Sequence, residues 1–128
     1  MTPLAPAVAG AVEAVRANFA GHAVEVSPDG AGGAFVIVEN VAVGAQYRPP
    51  NTWLGFHVNA AYPASDVYPH YVGILTRTDG RSLGEAISGT TWQGRPALQL
   101  SRRSNRWNAA VDNAANKAER ILRWLAGR

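Results

Sequence analysis

Between Ser101 and Trp107 three arginines, Arg102, Arg103 and Arg106, are interleaved with Ser101, Ser104 and Asn105, and the run ends on an aromatic ring. Guanidinium forks beside hydroxyl and amide groups suit phosphate, a carboxylate tail or an acidic protein face. Ser101, Arg102, Arg103, Asn105 and Arg106 are therefore the candidate partner-binding residues. The plainer reading of the same run makes Trp107 a core anchor and leaves the arginines solvated or paired with Asp112 and Glu119. A second constellation is His57, Asp66 and His70, which converge for acid–base work or metal binding if the strands that carry them pair suitably. Their spacing matches no ligand motif, and no metal is expected. The chain has no cysteine, which excludes disulfides, thiolate metal sites, iron–sulfur clusters and any thiol nucleophile. Hydroxyls stand at Thr90, Thr91 and Ser101, but an alcohol needs an adjacent base to attack, and no histidine lies in that segment. No phosphate-cradling glycine loop, dinucleotide fingerprint, nucleophile elbow or paired-carboxylate pattern occurs, so no cofactor is expected.

The 128 residues, 47% hydrophobic and 16% charged, have room for one domain, assigned to residues 1–128. Charge is uneven: residues 1–76 hold two basic and five acidic side chains (net −3), and residues 77–128 hold ten and four (net +6). An acidic partner should meet the C-terminal half. Glu13, Arg16 and Asn18 interrupt the only long apolar stretch, so no membrane span is expected, and a cytoplasmic protein is. Met1 to Ala20 reads as a mature helix rather than a signal peptide, because its apolar residues are periodic and no basic start precedes them.

Thr2 as N-cap, Pro3 as first helical residue, and Leu4, Val8, Val12, Val15 and Phe19 at steps of three or four predict that helix, with Gly21 ending it. Ala23–Val26 and Phe35–Val43 around a glycine-rich turn predict a hairpin. Leu54, Phe56 and Val58 alternate with Trp53, Gly55 and His57 as a half-buried third strand, and Tyr68–Thr76 is a fourth β-rich run. Glycines at 80, 84, 89 and 94 predict an irregular segment over residues 77–96. A final helix follows, capped by Asn108, with Val111, Ala114, Ala118, Ile121 and Leu125 on its apolar stripe and Lys117, Arg120 and Arg123 largely off it. The expected class is α+β: N-terminal helix, four-stranded antiparallel meander, long irregular segment, C-terminal helix.

Phe56-His57-Val58-Asn59-Ala60-Ala61-Tyr62-Pro63 resembles the end of strand three in the ubiquitin-conjugating-enzyme-like (UBC/RWD-like) superfamily, where a Tyr-Pro pair opens a proline-bearing loop, here closing at Pro69. Aligned without gaps on Trp107, Leu98 and Leu100 match the apolar residues flanking that family's nucleophile, and Ile87 matches its upstream isoleucine. On that resemblance the catalytic cysteine falls on Gln99 and the His-Pro-Asn tripeptide on Gly89-Thr90-Thr91. A primary amide cannot carry an activated modifier as a thioester. The resemblance therefore implies a cysteine-less bacterial member acting as a protein-binding adaptor, with a ubiquitin-like protein or an activating-enzyme-like protein as partner. Two other readings remain: nucleic-acid binding through the basic C-terminal half, and a small enzyme, either centred on His57, Asp66 and His70 or using an oxyester on one of the three hydroxyls.

Overall fold

The computed structural model describes residues 3–128. Helix α1 (Pro6–Asn18) buries Val8, Ala11, Val12 and Val15, the one-face spacing expected from the sequence. Its start lies later than predicted: Pro6 occupies the first turn, where a missing N–H breaks no helical bond. Ala5 precedes it without a side-chain cap, its own N–H donating to Gly32 O at 2.8 Å. The predicted cap Thr2 lies outside the described residues.

Strands β1 (Val24–Pro28) and β2 (Ala34–Ala42) form the expected hairpin. Its turn is built on Asp29, whose Oδ1 accepts from the amides of Ala31 (2.7 Å) and Gly33 (2.9 Å), an Asx-type arrangement. After the two-residue β3 (Tyr47–Arg48), β4 (Asn51–Val58) pairs antiparallel with β2 and inserts Leu54, Phe56 and Val58 into the core, as the alternation predicts. β5 (His70–Val72) continues the meander, and β6 (Thr76–Arg77) pairs with β3 in a separate ribbon.

The second half of the segment expected to be irregular, residues 87–96, is strand and turn. β7 (Ile87–Trp92) and β8 (Arg95–Leu100) form a hairpin around Gln93 and Gly94, both at positive φ (50° and 74°), the combination a tight two-residue turn requires. β8 pairs with β5, so the main sheet has six antiparallel strands in the order β1-β2-β4-β5-β8-β7, not four. Within residues 77–96 the longest stretch without regular structure lies between β6 and β7, with Gly80 and Gly84 at positive φ.

Helix α2 (Ala114–Ala126) begins five residues beyond the first helical position that an Asn108 cap implies. Asn113 and Asn116 make a reciprocal capping box, each side chain accepting from the other's main-chain N–H (2.9 and 3.1 Å). Asn108 instead receives the Ala110 amide at 3.0 Å in the preceding turn, and Val111, predicted on the apolar stripe, is 69% exposed. Both helices contribute to one core with the sheet, joined by Asn18 Nδ2 donating to Glu119 at 2.9 Å.

The opposite face of the sheet is closed by the curl of the β7–β8 hairpin. Trp92 stacks between Tyr71 (centroids 4.6 Å) and Trp53 (6.1 Å), with Phe35 edge-on at 6.2 Å. The stack lies over Gly55, where a methyl group would overlap the Trp92 ring. Arg95, next to the hairpin turn, reaches across to Glu25 (3.1 Å) and Glu39 (3.2 Å) and covers the Trp53 ring at 5.2 Å.

Candidate functional site

Asp66, in the loop between β4 and β5, organises the basic segment. Its Oδ2 accepts from the Ser104 amide at 2.8 Å, and both its oxygens accept from Lys117 Nζ at 3.0 Å. Lys117 also donates to Ser104 Oγ at 2.7 Å. Lys117, the only lysine in the chain, is 3% exposed. The sequence pattern had it off the apolar stripe, but it stands three residues after Ala114 and four before Ile121 and so faces inward. Burial pushes the Asp66 carboxyl up, but the Ser104 amide and the Lys117 ammonium together outweigh it and hold the group below its ordinary value. Burial likewise lowers Lys117, with the Asp66 carboxylate opposing.

This node pins the middle of the basic segment and leaves its arginines outside. Arg102, Arg103 and Arg106 are exposed, and among the described residues none pairs with a carboxylate. Of the acids weighed as their partners, Asp112 pairs with Arg120 at 3.2 Å and Glu119 receives Asn18. Arg102 lies over the Trp124 ring (5.3 Å) and Arg103 over Tyr68 (4.4 Å), placements that fix guanidinium direction while keeping the fork free. Arg102, Arg103, Ser104 and Asn105 form one wall of a cavity of about 170 Å³, and Lys117, Arg120, Ile121 and Trp124 of α2 form the other. Four cationic side chains line this hollow; Lys117 and Arg120 are paired with Asp66 and Asp112, which leaves Arg102 and Arg103 to meet an anionic group. Ser101 lies outside it, accepting from Gln99 Nε2 at 3.1 Å, and Arg106 is not among the lining residues.

Trp107 is a core anchor: it packs against the buried cluster and donates Nε1–H to Pro63 O at 2.7 Å. Tyr62 beside it is 8% exposed, and its hydroxyl accepts the Ala114 amide at 3.1 Å, serving an orphan N–H at the start of α2. The Tyr62-Pro63 and Trp107 motifs, far apart in sequence, are one structural unit.

The suggested cluster of His57, Asp66 and His70 does not assemble. His57 is on the hairpin-covered face, stacked on Phe35 at 4.5 Å and bonded to Asp29 Oδ2 at 2.7 Å. His70 stands opposite Phe56 on the core side, fully buried, with neither ring nitrogen partnered among the described residues. Burial, reinforced by the Lys117 charge, pushes its pKa down to about 3, so the ring is neutral. Among the described residues no group of three acidic, histidine or cysteine side chains could hold a metal ion.

Gly89, Thr90 and Thr91 lie on β7 and Gln99 on β8, with Ser88 directly opposite Gln99 and Thr90 opposite Ala97. These positions share a hairpin, whereas residues 89–91 were expected in an irregular segment. No protein-family model, no curated protein and no solved structure matches the chain.

Proposed function

We propose that this protein is a non-catalytic UBC/RWD-like domain that binds a partner protein through the basic cavity between residues 102–105 and α2. The expected partners are a ubiquitin-like modifier or an activating-enzyme-like component of a bacterial conjugation system. The observation that carries the binding reading is the set of exposed arginines without carboxylate partners, on a segment that a buried Asp66–Lys117 pair holds in place. Fixing the segment before binding lowers the ordering cost of recognition. The contact of Trp107 with Pro63 supports the family reading, because the two motifs that suggested it meet in space. The amide at Gln99 in the aligned nucleophile position supports recognition in place of transfer.

The test mixes the protein with candidate ubiquitin-like proteins and an activating enzyme. Noncovalent binding is expected, weakened at least about tenfold by Arg102→Glu with Arg103→Glu, the size of loss typical when charge-assisted contacts are reversed. A hydroxylamine-sensitive covalent adduct would overturn the non-catalytic assignment. The same free arginines favour one rival, nucleic-acid binding, whose affinity falls steeply and linearly on a log–log salt plot. A flat response eliminates that rival.

A further inference from the structure

The sheet has two edges, and they are finished differently. At β1 the edge carries Glu25, ends in Pro28, and has the Val24 carbonyl occupied by Arg16 Nη1 at 3.0 Å, all devices that discourage further strand pairing. At β7 none of these is present. From Ala86 to Trp92 the sequence contains no charge and no proline, Ser88 to Thr91 are exposed, and β8 is the strand's only partner among the described residues. Its outward main-chain amides and carbonyls are an open template for another strand.

The two ends of this edge differ in charge. At the Trp92 end Arg95 is neutralised by Glu25 and Glu39. At the Ile87 end the Ser101 amide donates to Ala86 O at 2.7 Å, which brings Arg102 alongside. Arg102 and Arg128 lie over the Trp124 ring (5.3 and 4.8 Å), and Arg128 donates to Leu83 O at 3.3 Å. Of the acids of this region, Glu85 is exposed and Asp79 pairs with Arg77 at 3.1 Å. The open edge therefore runs into the cation-lined cavity. A second copy is the poorer occupant, since six residues a side fall well short of the roughly 20–30 of a stable interface.

We propose that β7 receives an extended segment of an acidic partner protein as a seventh strand, its acidic end passing Ile87 into the basic cavity. This rests on the reading of that cavity as the partner-binding site. Main-chain pairing supplies affinity and the cations set direction and selectivity.

The probe is a fluorescein-labelled peptide of alternating valine and threonine ending in consecutive aspartate and glutamate residues, made in both chain orders. One control is N-methylated at alternate residues, and a second carries asparagine and glutamine in place of the acids. Binding of the acidic peptide, slowed hydrogen exchange at Ser88–Thr91, and losses of about tenfold or more in both controls are expected. Equal binding of the N-methylated control overturns strand addition and leaves the cavity reading standing. Equal binding of the uncharged control overturns the role of the cavity and leaves strand addition standing. No binding by any peptide overturns the proposal.

Discussion

His70 illustrates how a single side chain sets pH dependence. In the folded chain its pKa lies at about 3, against 6.5 for an unperturbed imidazole, so the unfolded chain binds the extra proton between these values. Stability is therefore full above the unfolded pKa and falls as the pH drops below it, by at most about 1.4 kcal/mol per unit. His70→Leu should remove this contribution and also two unpartnered polar atoms, raising stability near neutral pH by about 1 kcal/mol. Denaturant unfolding of wild type and variant at about pH 7 and about pH 5, compared so that the contributions of the other titrating groups cancel, reads both effects. An unchanged slope in the variant contradicts the assignment. Lys117 makes a second case. Asp66→Ala strands its buried ammonium and should cost roughly 3 kcal/mol, most of it recovered when Lys117→Met is added. Amine-reactive acetylation followed by peptide mass analysis should leave Lys117 unmodified in the folded protein and label it after unfolding. Neither residue's setting was legible from its type. His70 was expected only as a member of a polar cluster and Lys117 largely off the apolar stripe of its helix, and tertiary contacts place both inside.

At the scale of elements, periodicity recovered what had a core face to report. Leu54, Phe56 and Val58 in β4 and Val8, Val12 and Val15 in α1 alternate or recur because one side of each element is buried. β7 has no such signal: as an edge strand with Ser88 to Thr91 exposed, Ile-Ser-Gly-Thr-Thr-Trp carries no apolar rhythm. Its legible marks were the paired threonines and the Gln93-Gly94 turn, which the surrounding glycines masked. The start of α2 was misplaced because Asn108 and Asn113 are both eligible caps, and only the reciprocal bond to Asn116 selects the second. Two substitutions test the hairpin. Gln93→Gly relieves a positive φ and should stabilise by up to about 1 kcal/mol in thermal unfolding. Gly55→Ala should displace Trp92 from its stack, costing about 1–3 kcal/mol and weakening near-ultraviolet circular dichroism from the Trp53–Trp92 pair. Unchanged near-ultraviolet dichroism in Gly55→Ala would contradict that stacking.

For the whole molecule, the charge asymmetry of the sequence becomes a surface. The basic C-terminal half forms β7, β8, the arginine segment and α2, and two of its free guanidiniums, Arg102 and Arg103, line one cavity. One wall of that cavity was legible because Arg102, Arg103 and Asn105 are contiguous in sequence. The other wall, from α2, and the Asp66 support beneath it come from distant segments that no local pattern joins. The most direct test pairs the wild-type protein and an Arg102→Glu, Arg103→Glu, Arg106→Glu variant with a candidate ubiquitin-like protein and its activating enzyme. Native titration reads affinity, and denaturing intact-mass analysis reads covalent attachment. We expect binding by the wild type, a loss of about tenfold or more in the variant, and no added mass in either. Equal affinity of the two proteins, or a mass increment that hydroxylamine removes, would contradict recognition through this basic surface without transfer.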